Sequence, residues 1–199
     1  MTTKPMTRDQ ILKTAARLFA ERGYHAVGIS ELCAALQLSR GALYHHVSGK
    51  EDLLEDICCQ YMAKLGEQGR AAMQEEPDPA LRLKRLGAEL LAVVRSHRAE
   101  LTVCFREIQS LSEARRQKAL TLHAAYEKCW RDTWRQGADS GVFVPFQRTK
   151  LKALLGMYYY SYLWLDERVE ESEAEVAAMM HSIVAAAVDT PAPVAVLAG

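Results

Sequence analysis

Apolar residues recur at helical spacing along the whole chain, and no segment shows the alternation and tight turns of a β-hairpin. The first helix is predicted to begin after Thr7, which forms a capping box with Gln10, and to end at Gly23, where a left-handed residue is expected. Its inward stripe comprises four apolar residues, Ile11, Ala15, Leu18 and Phe19. The pattern therefore predicts an all-α fold.

A helix-turn-helix is predicted after the first helix. The pattern favours a short helix over 29–36, a tight turn at Gln37 and Leu38, and a third helix over 40–46 that Ser39 caps. Lys50 then leads a long fourth helix that extends to residue 75. Two short helices joined by such a turn are typical of a helix-turn-helix, whose second helix enters the DNA major groove.

Further helices are predicted beyond Pro77 and Pro79, which interrupt the helical pattern. They span residues 80–97, 99–111, 112–137, 148–165 and 172–188. We expect an N-terminal DNA-binding domain over 1–52, a helical effector-binding and dimerisation domain over 53–190, and a frayed tail over 191–199. Because no flexible linker separates the two domains, their boundary is placed within the fourth helix.

The charge distribution favours contact with DNA at one end of the chain only. The formal net charge is zero at pH 7. Residues 1–50, however, carry seven Lys and Arg side chains against three Asp and Glu. A basic head on an acidic remainder is the asymmetry expected when only one end of a protein meets phosphates.

The sequence offers no motif for catalysis, a cofactor or a metal. Its five cysteines include no C-x-x-C pair, and no nucleophile–base arrangement or phosphate-binding glycine loop occurs. We therefore expect a protein that is not an enzyme and holds neither cofactor nor metal. The cysteines are interpreted as buried apolar residues, with a thiol sensor at Cys104 or Cys129 as the alternative. Neither a membrane-spanning stretch nor a signal sequence is recognisable, so we expect a cytoplasmic protein without a membrane partner.

The third predicted helix has a composition suited to reading DNA. Arg40 can bond O6 and N7 of a guanine together, and Gly41 lets the helix approach the groove closely. Tyr44, His45 and Lys50 offer donors to phosphate oxygens. The predicted DNA-binding residues are Ser30, Gln37, Ser39, Arg40, Gly41, Tyr44, His45 and Lys50.

The segment from Thr7 to Leu54 resembles the DNA-binding segment of TetR-family repressors. The resemblance lies in the strings Gly23-Tyr24, Ile29-Ser30-Glu31-Leu32-Cys33, Leu38-Ser39-Arg40-Gly41-Ala42-Leu43-Tyr44-His45-His46-Val47 and Lys50-Glu51-Asp52-Leu53-Leu54. The chain departs from the usual family pattern at Val27-Gly28, Gln37 and Val47. The resemblance implies a homodimer that binds double-stranded operator DNA and responds to a small molecule.

The same resemblance implies roles for the helical remainder. The last two helices are expected to pair with their copies in a dimer through Met157, Tyr160, Trp164, Val176, Met180, Ile183 and Val184. Effector contacts are expected from apolar and aromatic side chains of the middle helices. These are Tyr61, Met62, Leu65, Val94, Phe105, Ile108, Tyr126, Trp130, Trp134, Tyr158 and Tyr162.

The expected effector follows from a second resemblance, between the Leu155-Gly156-Met157 segment and TetR-type regulators of lipid, steroid or aromatic-acid catabolism. We expect a repressor released by a small hydrophobic or acyl-CoA-type effector. The cations that could neutralise CoA phosphates are Arg106, Arg115, Arg116 and Lys118. The alternatives are a multidrug-type regulator that binds cations through Glu100 or Glu107, a thiol-sensing regulator, and an activator with the same fold.

Overall fold

The computed structural model describes residues 6–165 and 171–189, and over these ranges the chain is predominantly helical. Apart from an isolated antiparallel bridge between Phe143 and Asp189, these residues form no β structure. The predicted all-α fold is thus confirmed. The predicted tail over 191–199 lies outside the described residues. None of the described helices is long and apolar enough to cross a membrane.

Three helices form the N-terminal segment, namely α1 (Arg8–Arg22), α2 (Ile29–Leu36) and α3 (Arg40–Tyr44). The hydroxyl of Thr7 accepts a hydrogen bond from the backbone N–H of Gln10, whose side chain accepts one from the N–H of Thr7. This is the capping box predicted from the sequence. It satisfies two of the backbone donors that the start of a helix leaves unpaired.

Residues with positive φ follow α1 and α2. Gly23 has φ 87° and ψ 143°, so it has the predicted positive φ but lies outside the left-handed helical region. Gln37 has φ 55° and ψ 37°, which is left-handed, and its N–H donates to the carbonyl of Ala34 at 3.2 Å. A residue with a Cβ is strained in this conformation. Gln37 therefore carries backbone strain.

One compact unit, the first unit, comprises the described residues up to Lys64 together with Ser96–Ala124. It contains the start of α4 (Lys50–Glu75), α6 (Arg98–Glu107), a 3₁₀ turn at residues 108–110, and the start of α7 (Glu113–Asp139). Helix α1 packs against α6. The unit has an apolar core that includes Ile11, Phe19, Leu32, Leu43, Leu53, Leu54 and Leu101.

The second unit comprises Leu65–Arg95 and the described residues from Ala125 onward. It contains most of α5 (Pro79–Ser96), the second half of α7, α8 (Arg148–Tyr160) and α9 (Glu173–Val188). Large aromatic side chains dominate its core, namely Tyr126, Trp130, Trp134 and Tyr158. Burial of such side chains supplies much of the stability of a small helical core.

Helix ends differ from the prediction where a side chain competes with the local pattern. Helix α8 ends at Tyr160 and not at residue 165, and the Ser161 hydroxyl donates to the Tyr158 carbonyl at 2.6 Å, which accompanies a 3₁₀ turn. Helix α7 continues past Gly137, the predicted end of the helix, to Asp139. A Cβ at Gly137 would collide with the ring of Phe143, so this glycine permits close packing. Helix α3 ends two residues early, at Tyr44.

Candidate DNA-binding surface and effector-binding residues

The start of α3 presents a small exposed surface. The Ser39 hydroxyl caps the helix by accepting a hydrogen bond from the N–H of Ala42 at 3.1 Å, as predicted. Leu43 is fully buried and anchors the helix to the core of the first unit. Arg40, Gly41 and His45 are exposed, and half of the Tyr44 surface is accessible. The structure therefore brings the predicted α3 residues together on one accessible face.

Arg40 is held in place by α2. Its Nη2 donates to the hydroxyl of Ser30 at 2.6 Å, and both side chains are exposed. Ser30 lies in the first turn of α2, ten residues before Arg40. The hydrogen bond restricts a flexible guanidinium before any ligand arrives, which lowers the entropy cost of its binding.

Lys50 lies differently from the sequence expectation. Its ammonium is 4.2 Å from the ring centroid of Tyr24 and 5.8 Å from that of Phe19, so it packs over aromatic faces. Burial lowers the pKa of Lys50 below its usual value. The structure thus places this charge over two aromatic rings at the start of α4, where the residue is half-buried.

Four of the seven cations in residues 1–50 pair with carboxylates. Arg8 binds the carboxylates of Asp52 and Asp56 and the carbonyl of His46. Three more cations pair with carboxylates, as Lys13–Asp9, Arg17–Glu21 and Arg22–Glu31. Asp52 and Asp56 lie beyond residue 50, so the charge count for residues 1–50 omits the partners of Arg8. Arg40 is exposed and donates to a neutral hydroxyl, that of Ser30.

The acidic start of α4 is also tied to α7. Glu55 is nearly buried and pairs with Arg115 Nη1 and Lys118 Nζ, each at 2.6 Å. The backbone N–H of Ser112 donates to Glu51 at 2.7 Å, and this hydrogen bond is the main reason that the pKa of Glu51 lies below its usual value. All of these residues belong to the first unit. They connect the helix that follows the helix-turn-helix to α7.

The four cations expected to neutralise CoA phosphates have partners within the protein. Arg115 and Lys118 are engaged with Glu55, and Arg116 pairs with Glu113. Arg106 donates to the carbonyl of Ala20 at 3.3 Å. Clusters of Lys and Arg in a sequence do not show which carboxylates lie opposite them, and for Arg115 and Lys118 the partner is 60 and 63 residues away along the chain.

Four predicted effector-contact residues form the aromatic core of the second unit. The Trp130 and Tyr158 rings lie 5.5 Å apart, Tyr126 donates to the carbonyl of Leu86 at 3.3 Å, and Trp134 donates to that of Val144 at 2.9 Å. Burial raises the pKa of Tyr158 to about 12. The buried Nε1 of Trp130 makes no well-formed hydrogen bond to an acceptor among the described residues, although it lies near enough to the Tyr126 hydroxyl to favour the ionised form of that group. A buried N–H without a good acceptor is costly, so Trp130 is a candidate donor to a bound ligand.

The second unit contains two further buried oxygens that find no donor among the described residues, Gln68 Oε1 and Glu89 Oε2. The other carboxylate oxygen of Glu89 accepts from Arg85 at 2.8 Å. Neither residue was predicted as an effector contact. Glu89 could have been found, because it lies next to Leu90 and three residues after Leu86 on the buried face of α5. By contrast, the Glu107 carboxylate accepts a hydrogen bond from the N–H of Tyr24 at 3.3 Å.

The remaining predicted effector contacts divide between the units. Tyr61 and Met62 are buried in the first unit, whereas Leu65, Val94 and Tyr162 are buried in the second. Phe105 is 37% exposed and Ile108 is half-buried, so neither is an ordinary core residue. The buried members of the predicted set fit both a role in lining an effector site and ordinary core packing.

The predicted dimerisation set requires a correction. Val176, Met180 and Val184 are buried within the protomer, on the face of α9 that packs inward, and so offer no accessible surface. The outward face of α9 instead carries Met179 and Ile183, which are 47% and 45% exposed. Tyr160 and Trp164 are exposed as a dimer surface requires, and Met157 is half-buried. The apolar residues of α9 therefore lie on two faces, one buried within the protomer and one exposed.

Family models match both parts of the chain. Residues 11–57 match the model described as bacterial regulatory proteins of the tetR family. Residues 76–188, which are more than half of the chain, match the tetracyclin repressor-like C-terminal domain. The chain belongs to the TetR family. Its resemblance to that family, inferred from the α2–α4 strings, is thereby confirmed, as is its assignment to DNA-binding transcriptional regulators.

Individual relatives of this TetR-family regulator are similar over most of their length. The regulator PfmR from Thermus thermophilus is 30% identical with a TM-score of 0.83, covering 90% of this chain and 98% of that chain. The repressor KstR2 of Mycobacterium tuberculosis is 27% identical over 139 residues, which are 69% of this chain and 70% of KstR2. A solved complex of AibR with isovaleryl coenzyme A and operator DNA is 25% identical with a TM-score of 0.78, covering 88% of this chain and 96% of that chain.

Proposed function

We propose that this TetR-family regulator is a cytoplasmic repressor that binds operator DNA as a homodimer and is released by a small hydrophobic or acyl-CoA-type effector. The observation that carries the DNA-binding part is the exposed start of α3, where Ser30 holds Arg40. Two relatives support the remainder. KstR2 is named a transcriptional repressor, and AibR was solved with an acyl-CoA and operator DNA.

In the proposed complex, α3 enters the major groove with its N-terminal end toward the bases. Arg40 reads a guanine through O6 and N7, and Gly41 permits the close approach because it has no side chain. Tyr44 and His45 donate to phosphate oxygens on either side. Lys50 contributes positive potential from its position over Tyr24, and a direct phosphate contact would require it to leave that ring.

The proposed dimer forms through the outward faces of α8 and α9. The exposed apolar residues that support it are Tyr160 at the end of α8, Leu163 and Trp164 in and after the turn that follows, and Met179 and Ile183 on α9. Ile183→Glu is expected to yield monomers in sedimentation velocity. Leu120→Glu, at a 44% exposed leucine of the first unit, is the matched control and should leave the dimer intact. Dimers that survive Ile183→Glu would move the interface elsewhere.

The proposed effector site lies in the aromatic core of the second unit. Trp130 Nε1 would donate to a carbonyl oxygen of the effector, and Gln68 Oε1 would accept from an amide or hydroxyl. The rings of Tyr126 and Tyr158 would supply apolar wall. This combination of apolar walls and a few polar atoms suits an acyl thioester.

A second candidate effector is an amphipathic cation, and Glu89 is the observation that favours it. Its Oε2 is buried and finds no donor among the described residues, so a ligand ammonium group could satisfy it. The two effector classes make opposite demands on this residue. Glu89→Gln should abolish a response to hydrophobic cations while preserving a response to acyl thioesters.

Release is proposed to act through α4 and α7, each of which has residues in both units. Glu55 joins the start of α4 to Arg115 and Lys118 of α7. An effector that favours a different position of α7 would displace α4 and with it α3. Two recognition helices must lie about 34–36 Å apart to meet successive major grooves, so a change in spacing lowers operator affinity. Only an effector with different affinity for the two states can drive this change.

The deciding experiment measures binding of the full chain to its own upstream intergenic DNA by fluorescence anisotropy, at one stated salt concentration. Acyl-CoA thioesters and quaternary amines are added in parallel, to the wild type and to Glu89→Gln. Specific binding released by a thioester supports the first effector class, and release only by amines supports the second. Absence of specific binding would contradict the DNA-reading role of Arg40. A site whose occupancy raises transcription would indicate an activator.

A further inference from the structure

Four side chains of the first unit form a buried chain of polar contacts that the proposed function does not use. Cys58 and Tyr61 come from α4, Cys104 from α6 and His123 from α7. The Tyr61 hydroxyl lies 3.1 Å from His123 Nε2, and the Cys104 sulfur lies 3.9 Å from the same nitrogen. Cys58 lies three residues before Tyr61 and therefore on the same face of α4, and its thiol interacts with Cys104.

Burial separates this cluster from solvent on all but one side. Cys58 is fully buried, and Cys104 and Tyr61 are 2% and 1% exposed. His123 is half-buried, so its imidazole connects the two sulfurs to the surface. Within the described part of the chain, no group of three or more His, Cys, Asp or Glu side chains is arranged to hold a metal ion. The cluster is therefore best suited to thiol chemistry.

The two cysteines have opposite protonation preferences. The interaction with Cys58 is the main cause that lowers the pKa of Cys104, and His123 and Tyr61 add to it against the effect of burial. The pKa of Cys58 is raised, since it serves as the donor and is buried. A thiolate in contact with a thiol is the arrangement of a nucleophile and a resolving cysteine.

We propose that Cys104 and Cys58 are a hydroperoxide-reactive pair that forms a disulfide between α6 and α4. The Cys104 thiolate attacks a peroxide oxygen, the O–O bond breaks, and the departing oxygen takes a proton, which leaves a sulfenic acid on Cys104. The Cys58 sulfur then attacks the Cys104 sulfur. The S–S bond forms, the S–O bond breaks, and water departs with the Cys58 proton. Two thiols are oxidised and one hydroperoxide is reduced.

The disulfide would act on the DNA-binding surface through α4. A disulfide needs Cα atoms about 4.4–6.8 Å apart and a defined torsion about its S–S bond, so its formation fixes the position of α4 relative to α6. Helix α4 follows directly after α3 and its turn. Oxidation is therefore expected to lower operator affinity by about tenfold or more. This readout rests on the proposed function, whereas formation of the disulfide does not.

The test treats the reduced full chain with hydrogen peroxide and maps disulfides by peptide mass spectrometry without reduction. We expect one Cys58–Cys104 disulfide, reversed by dithiothreitol. Cys104→Ser should abolish it, and Cys58→Ser should stop at a sulfenic acid that dimedone traps. His123→Gln should slow the reaction and reduce thiolate ultraviolet absorbance at neutral pH, which a purely structural role would not do.

Cys59→Ser and Cys129→Ser are the matched controls, because burial raises the pKa of both thiols and, for Cys59, to about 11. Both variants should oxidise like the wild type. Oxidation at Cys33, Cys59 or Cys129 in place of the pair would overturn the proposal, as would wild-type thiol loss in Cys104→Ser. A disulfide that leaves operator affinity unchanged would refute its regulatory effect. A disulfide in a chain that binds no operator would support the thiol chemistry and contradict the proposed function.

Discussion

The hydrogen bond between Ser30 and Arg40 allows a quantitative test of how this protein reads DNA. Arg40 Nη2 is 2.6 Å from the Ser30 hydroxyl, and both residues are exposed at the start of their helices. If Arg40 makes a bidentate contact with guanine, Arg40→Ala should cost about 1–3 kcal/mol of specific binding. This corresponds to a loss of about 5- to 150-fold in operator affinity.

Ser30→Ala should have a smaller effect of a different origin. It leaves the guanine contact possible but frees the guanidinium, which must then be immobilised on binding at a cost of about 0.5–1.5 kcal/mol. The expected loss is about 2- to 10-fold. In an Arg40→Ala background the Ser30 substitution should cost almost nothing, because no guanidinium remains to be positioned. Ser30→Thr, which keeps the hydroxyl, should retain most of the wild-type affinity.

The assay is a double-mutant cycle measured by fluorescence anisotropy on operator and on scrambled DNA at several salt concentrations. Ser182→Ala, at an exposed serine of α9, is the matched control. Additive effects of the two substitutions would show that Ser30 contacts DNA independently of Arg40. Equal losses on operator and scrambled DNA would refute base reading by Arg40 and leave it as a phosphate contact.

Three further predictions concern stability. Gln37→Gly should raise the thermal midpoint by relieving a left-handed conformation, with a gain of about 0.5–1 kcal/mol, and an unchanged midpoint would argue against strain. Gly87→Ala should destabilise the protein by about 1–3 kcal/mol in urea unfolding, because the new Cβ would collide with the Tyr158 hydroxyl and lie 3.1 Å from its Cζ. Tyr158→Phe should recover much of that loss, and no recovery would place the collision elsewhere. The hydrogen bond from the Ser112 N–H lowers the pKa of Glu51. The stability that this bond contributes to the folded state is therefore present at neutral pH and is lost as the pH falls through the lowered pKa. Below about pH 4 the wild type should therefore lose stability more steeply than Glu51→Gln, and parallel pH profiles would contradict this.

Local signals in the sequence were sufficient for the helices and for the DNA-reading helix. The Thr7 capping box, the Ser39 cap and the buried Leu43 depend on residues within one helical turn of each other, so spacing alone predicts them. The α2–α4 strings also sufficed for the family. Helix ends were missed at Ser161 and Gly137, where a side chain or a close contact intervenes, and at Tyr44, where α3 ends two residues before the predicted position.

Tertiary structure alone decided which partner each face and charge meets. Periodicity shows that a residue lies on an apolar face of α9, but only packing shows that Val184 is internal while Ile183 is exposed. The same holds for Lys118, whose partner Glu55 lies 63 residues earlier in the chain. The buried oxygen of Glu89 and the contact between Cys58 and Cys104 are likewise properties of helices brought together in space. The helical repeat of a sequence shows on which side of its own helix a residue lies. Ion pairs and thiol chemistry depend instead on the distances between side chains of different helices, which only the folded structure sets.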